Sequence, residues 1–363
     1  MRTSFCSAAL LLGALACADL AQAGDLVSRT LPAGPDPGSR ERQYQMFVPD
    51  GLSDQTAAPV IMVLHGCLQN EQNMIDETGF TELAEREGFM IVFPFITSYP
   101  FLPARAQNCW GFFIEQQRHE GRGEASDLRR ILAAVEDEFG TDPERRYVAG
   151  LSSGAAMAVV MAVAYSEDIA AAGAVAGLPY GENACAVRGG CWTGIAHRPV
   201  SALIRAMAAE QQSPEEQRLV PIMVIHSTND RIVPIRNAYN LRDAWITYYD
   251  ADPTPARTED CTTEGVPCAR TRFTDRQARA VVETVLYDGA SSGATHYWVG
   301  DNKGTFADPD GPSASELLWS FFREHTLAAA APADAQALPA AVEGMGRPDL
   351  GTAGAARKLP QTR

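Results

Sequence analysis

The sequence has no C-x-x-C pair and no histidine cluster near its cysteines, so nothing in it has the ligand spacing of a zinc site. It also lacks a glycine-rich phosphate loop between a strand pattern and a helix pattern, so neither a nucleotide cofactor nor a metal is expected. Without internal repeats, solenoids and arrays are excluded. No apolar run is long enough to span a bilayer. Positive charge is the scarcer sign: 30 Lys and Arg stand against 45 Asp and Glu, a formal net charge of −15. An acidic surface of this kind keeps a protein soluble and argues against nucleic acid or anionic lipid as a partner.

The two ends differ from the body. Met1-Arg2, the apolar stretch Ala8 to Ala16 and the small-residue site Ala21-Gln22-Ala23 have the form of a secretory signal peptide over residues 1–23. Cys17 raises a lipid-anchor alternative, but Ala14 stands where a leucine-like residue is usual. Residues 327–363 are rich in Ala, Pro and Gly and lack the aliphatic density to bury a core, as expected of a flexible tail. Residues 24–326 remain as one catalytic-size α/β domain. They hold six cysteines: Cys67, Cys109, Cys185, Cys191, Cys261 and Cys268. An even number in an exported chain suggests disulfides. Cys185 with Cys191 and Cys261 with Cys268 would staple two short loops, leaving Cys67 with Cys109, although spacing alone does not fix connectivity.

Seven short β-branched or apolar runs read as buried strands: 44–48, 60–64, 90–93, 147–149, 171–176, 222–225 and 281–287. Helical patterns cover 80–87, 124–139, 153–165, 235–249 and 313–325. Their alternation implies a doubly wound, mostly parallel sheet.

Between the strand pattern ending at Ala149 and the helix pattern from Ala155 lies Gly150-Leu151-Ser152-Ser153-Gly154. A serine hydroxyl becomes a nucleophile when a sharp strand-to-helix turn exposes it beside a base, and the flanking glycines permit that turn. Asp230 follows another strand pattern, and His296 follows the last, giving the order Ser152, Asp230, His296. The other histidines fit a base less well. His65, His119 and His197 precede the acid, and His226 is too near Asp230 in sequence. His325 ends a helix, where a histidine complements the helix dipole. Backbone N–H groups of Ser153 and of Cys67, in the turn His65-Gly66-Cys67, suit an oxyanion hole because donors fixed by the fold need no reorganisation. The aromatic stretches 99–102 and 110–113, with Trp298, offer a possible apolar wall. Trp110 and Trp298 are the candidate substrate-binding residues, whereas Phe112 and Phe113 fit the core.

Together, His65-Gly66-Cys67-x-Gln69, Gln107-Asn108-Cys109-Trp110, Gly150 to Met157 and Gly293-x-x-His296-x-Trp298 resemble the secreted short-chain polyhydroxyalkanoate (poly-3-hydroxybutyrate) depolymerase family of esterases. The resemblance spans about residues 40–325. It implies an α/β-hydrolase fold, the triad Ser152–Asp230–His296, Cys67 in the oxyanion hole, and a polyester substrate. Polymer-degrading members often carry a further binding domain, where this sequence has only the Ala/Pro-rich tail. The family shades into feruloyl and acetyl-xylan esterases, so the choice between polyester and plant cell-wall ester stays open. A serine peptidase and an inactive binding module are the more distant alternatives. Oligomeric state is not legible.

Overall fold

The computed structural model describes residues 24–52, 57–97, 107–211, 218–289 and 295–328. The signal segment 1–23, the aromatic stretch 99–102 and the tail from 329 onward lie outside the described residues. The strands are β1 (Asp25–Leu31), β2 (Arg42–Val48), β3 (Val60–Leu64), β4 (Met90–Pro94), β5 (Arg146–Leu151), β6 (Ala171–Val175), β7 (Ile222–Ser227), β8 (Arg257–Asp260), β9 (Cys268–Thr274) and β10 (Ala280–Tyr287). They form one sheet in the order β1-β2-β4-β3-β5-β6-β7-β10-β9-β8. From β4 through to β10 neighbouring strands run parallel, while β1, β2, β8 and β9 add antiparallel margins. A separate short pair joins β11 (Trp298–Val299) to β12 (Ala307–Asp308). This is the α/β-hydrolase arrangement.

The central strands are apolar throughout because both faces of the sheet are covered. In β3 the pleat sends Val60, Met62 and Leu64 into one core and Ile61 and Val63 into the other. The first core is shared with α3 (Gly123–Phe139), α4 (Ser153–Ala164), α5 (Val200–Glu210) and α6 (Arg236–Tyr248). The second is covered by α1 (Glu71–Glu77), α2 (Phe80–Glu87) and α7 (Ala314–Phe322). Every residue of α4 is buried, which explains why its sequence is small and apolar all round rather than striped.

All seven expected strands and all five expected helices are present, with ends shifted by a few residues. Elements without an expectation are marginal or short, except α5, an 11-residue helix that puts Leu203, Ile204 and Met207 into the first core and had no counterpart among the expected helices. β1 is mostly exposed, and β8 reads Arg-Thr-Glu-Asp, because edge strands with wet faces carry no apolar run. Helix α1 has only seven residues, and an Asn70–Asn73 capping box marks its start rather than any periodicity. His325 departs from the dipole expectation: burial pushes its pKa down to about 4, and it packs edge-on against Phe321. A neutral ring offers no compensating charge.

The disulfides are Cys67–Cys109, Cys185–Cys191 and Cys261–Cys268. The first joins the turn after β3 to the segment after β4. The second closes a loop after β6, and the third links β9 to the end of its hairpin partner.

Gly154 lies against the carbonyl ends of β3, where an added Cβ would stand 2.2 Å from Leu64 O and 2.5 Å from His65 O. Backbone cannot yield as a flexible side chain can. Gly154→Ala should therefore destabilise the fold by about 3 kcal/mol or more, read as a lowered midpoint in urea unfolding.

Candidate active site

The site assembles where the carboxyl ends of β3, β5, β7 and β10 meet their loops. Ser152 stands between β5 and α4 at φ 58° and ψ −118°, a conformation a non-glycine residue holds only when its surroundings impose it. Its N–H donates to Val175 O at 2.9 Å, and its carbonyl accepts Ala156 N–H at 3.0 Å. The turn is thus tied both to β6 and to the first turn of α4. Ser153 opens that helix, where N–H groups have no intrahelical acceptor and the dipole favours negative charge.

The turn after β3 lies beside the serine: a Cβ on Gly66 would sit 3.3 Å from Ser152 Cβ. Its neighbouring amides are already committed. Gly66 N–H donates to Gln69 Oε1 at 2.7 Å, and Leu68 N–H to Gln107 O at 2.6 Å. Among the described residues neither the Cys67 nor the Ser153 N–H has an acceptor, as two donors awaiting an oxyanion require. The Cys67–Cys109 disulfide and an Asn108 Nδ2–Gln69 O hydrogen bond of 3.1 Å lock this turn to segment 107–110.

Asp230 and His296 come together although 66 residues separate them: His296 Nδ1 lies 2.8 Å from Asp230 Oδ2. The carboxylate is fully buried and the imidazole side chain is 15% exposed. Asp230 Oδ1 accepts the N–H groups of Ile232 at 2.7 Å and Val233 at 2.9 Å. These bonds orient the carboxylate and leave Oδ2 to receive Nδ1–H, which fixes the tautomer and leaves Nε2 with the ring's free lone pair. The acid and base loops are joined directly by Arg231 N–H to Thr295 Oγ1 at 3.1 Å. The loop Cys185–Cys191 braces the acid from outside, with Arg188 N–H on Ile232 O at 2.9 Å and Arg188 Nε on Arg231 O at 2.6 Å.

The two tryptophans expected to wall a cleft do not face one. Trp110 is completely buried, its ring 5.3 Å from His65 and its indole N–H donating to His65 O at 2.9 Å. Trp298 is equally buried, with its N–H on Asp301 Oδ2 at 2.8 Å and Ser315 Oγ at 3.2 Å. Proximity in sequence to a reactive residue does not decide which way a side chain points. An indole whose N–H has a buried acceptor is satisfied inside the protein. Both act as posts, Trp110 under the Gly66–Cys67 turn and Trp298 two residues beyond His296. The Asp301 carboxyl that receives Trp298 is pushed up to about 6 by burial. Phe112 and Phe113 form a core-side pair at 5.2 Å, as expected.

His65 is no alternative base. Its Nδ1 bonds Gly66 O at 2.8 Å, its Nε2 accepts Ile96 N–H at 3.3 Å, and burial pushes its pKa down to about 4. Among the described residues, no group of three or more His, Cys, Asp or Glu side chains is placed to hold a metal. No helix among them is long and apolar enough to cross a membrane.

His119 pins the far end of the segment that carries Cys109. Its Nδ1 meets Glu210 Oε2, and its Nε2 meets Glu115 Oε2 at 2.8 Å. An imidazole facing carboxylates at both nitrogens is a double donor, hence a cation. Hydrogen bonding to Glu210 raises its pKa, outweighing partial burial. Because the folded pKa exceeds the unfolded value of about 6.5, this stabilisation is complete below that pH and disappears as pH rises through the folded pKa. The melting-temperature advantage of wild type over His119→Gln should accordingly shrink as pH is raised from about 6 to about 9.

Comparison with known proteins agrees with this architecture. The family described as "Esterase PHB depolymerase" matches residues 42–267. Poly(3-hydroxyalkanoate) depolymerase C of Paucimonas lemoignei is 32% identical over 145 residues, 39% of this chain and 33% of that protein. Acetylxylan esterase A of Emericella nidulans is 30% identical over 139 residues, 38% of this chain and 43% of that one. The matches thus span less than half the length of these curated relatives. Among solved structures, an acetyl xylan esterase from Aspergillus awamori shares the fold with a TM-score of 0.56 and 19% identity, covering 73% of this chain and 93% of that one. With more than half of the chain matched by the family, the chain belongs to the PHB depolymerase family of esterases.

Proposed function

We propose that this chain is an exported serine esterase that hydrolyses short-chain polyhydroxyalkanoate, poly-3-hydroxybutyrate in particular. The observation that carries the reading is the Asp230–His296 hydrogen bond at one edge of the sheet, with Ser152 on a strained turn beside the uncommitted Cys67 N–H at the same edge. His296 Nε2 takes the hydroxyl proton as Ser152 Oγ attacks the ester carbonyl carbon, while buried Asp230 stabilises the imidazolium. The carbonyl oxygen becomes an oxyanion held by the Cys67 and Ser153 N–H groups. Collapse of the tetrahedral adduct breaks the ester C–O bond, and His296 returns its proton to the departing alcohol. Water, deprotonated by His296, then attacks the acyl-serine and releases the acid and the free serine. No metal or cofactor takes part in these steps.

The surface favours an apolar polymer. Among the described residues the large apolar side chains that stand exposed are Leu26, Leu68, Trp192, Ile195 and Ile232. We read four of the five as an apolar rim from their chain neighbours: Leu68 next to Cys67, Ile232 two residues past Asp230, and Trp192 and Ile195 just after the Cys185–Cys191 loop, whose Arg188 is hydrogen-bonded to the acid's loop. The name of the Paucimonas relative supports the same substrate class. Three disulfides are consistent with folding in an oxidising compartment. The acetylxylan esterase relatives support a second reading, acetyl or feruloyl ester of xylan, on the same catalytic residues.

The deciding assay incubates the purified protein with amorphous poly-3-hydroxybutyrate and, separately, with acetylated and feruloylated xylan. Release of 3-hydroxybutyrate or its short oligomers is expected. Acetate or ferulate release without it would transfer the enzyme to xylan. Ser152→Ala should lower ester turnover by about 10⁴-fold or more and abolish labelling by a serine-directed phosphonate, and turnover near the wild-type rate would refute the mechanism. Trp192→Ala should slow polymer degradation more than hydrolysis of a small soluble ester, whereas equal losses would contradict the docking role of this rim.

A further inference from the structure

His226 is the penultimate residue of β7, four positions before Asp230, and is completely buried. The acyl-transfer scheme gives it no part. Its ring nevertheless points into the loop that carries the acid. Nε2 lies 2.8 Å from Val233 O and 3.6 Å from Asp230 Oδ2, while Nδ1 has no partner. A carbonyl acceptor requires Nε2 to carry the proton, leaving the unpartnered Nδ1 as the bare lone pair. The imidazole is therefore a neutral donor, and burial lowers its pKa, which agrees with that state.

We infer that His226 is a positioning residue for the acid: its Nε2–H closes the loop 226–233 from inside onto Val233 O and thereby sets the angle at which Asp230 meets His296. The argument turns on Val233, which serves the acid from both sides of its peptide unit. Its N–H donates to Asp230 Oδ1 and its carbonyl is held by His226. Releasing the carbonyl lets the 232–233 amides drift, and these amides fix the rotation of the carboxylate. The loop's other ties act elsewhere along it: Arg188 and Thr295 hold residues 231 and 232, Thr228 bonds Tyr287 O and Asp288, Ser227 Oγ bonds Asn229, and Asp230 N–H meets Ser227 O, whereas the Val233 carbonyl is held by His226. A neutral ring is the suitable group here. A second cation 3.6 Å from Oδ2 would compete with the imidazolium formed at His296, whereas a neutral N–H leaves the carboxylate charge available to it.

This inference rests on the serine-esterase reading, and the isosteres of histidine test it. A glutamine amide nitrogen occupies nearly the position of imidazole Nε2, and an asparagine nitrogen that of Nδ1. On a soluble activated ester, His226→Gln should keep kcat within about threefold of wild type. His226→Asn and His226→Leu should lose about ten- to a hundredfold in kcat at nearly unchanged KM, the scale of a misaligned catalytic group. In an Asp230→Ala background the His226→Asn loss should vanish, because the group it positions is gone. Equal kcat for the Asn and Gln variants, or losses that add in the Asp230→Ala background, would overturn the proposal. If the Leu variant does not fold, the Asn/Gln pair still decides it. A readout independent of turnover is the downfield proton resonance of His296 Nδ1–H. It should shift in His226→Asn but not in His226→Gln, and an unshifted resonance in both refutes the inference. Failure of the serine-esterase reading would look different: the wild-type protein would show no Ser152-dependent turnover, whatever the resonance does.

Discussion

The close approach of two backbones holds the site together: Gly154, at the start of α4, rests against the carbonyls of Leu64 and His65 at the end of β3. Without a Cβ there, the elbow after β5 and the turn after β3 stand at main-chain distance. That contact puts Ser152 beside Gly66 and brings the amides of Ser153 and Cys67 to the same edge of the sheet. The strained φ of Ser152 is tolerable because its own N–H and C=O are both bonded, to Val175 and Ala156.

Around this contact the loops are held by buried polar atoms rather than by apolar packing alone. Trp110 N–H holds the His65 carbonyl under the Gly66–Cys67 turn, Trp298 N–H meets Asp301 near the base, and His226 holds the Val233 carbonyl behind the acid. The His65 and Val233 carbonyls are buried, with no water to turn to, so those two bonds are costly to break and their loops correspondingly rigid, while Asp301 is partly buried. His65 and His226 differ from His296 in burial and in partner: each meets backbone groups, whereas His296 Nδ1 meets the Asp230 carboxylate. Both are sealed in the core and kept neutral, while His296 keeps a partly exposed edge.

Much of the architecture was legible because the parallel strands are covered on both faces, and the runs at Val60–Leu64 and Ile222–Ile225 contain little but buried apolar residues. The edge strands β1 and β8, and β9 beside β8, were not, since wet faces let Arg, Thr, Glu and Asp into them. Ser152, Asp230 and His296 could be named as candidates from their order and strand-end positions. The meeting of Asp230 with His296 is a fact of the fold. The cleft roles expected of Trp110 and Trp298 failed for want of a direction: sequence gives adjacency to a motif, and burial decides the face. His226 was set aside for lying too near Asp230 in sequence, and that same nearness lets it brace the acid's loop from inside.

By itself the sequence determined the parallel core, the turn that carries Ser152 and the identities of the candidate groups for acyl transfer. These depend on local chemistry: the apolar runs, the glycines around Ser152, and residues placed just past strands. Only the tertiary structure decided which polar groups are paired and which are left free. It committed the amides of Gly66 and Leu68 and left that of Cys67 open, and it turned two tryptophans inward while leaving Trp192 exposed. Such choices depend on where distant segments come to rest against one another, a property that no local run of residues contains.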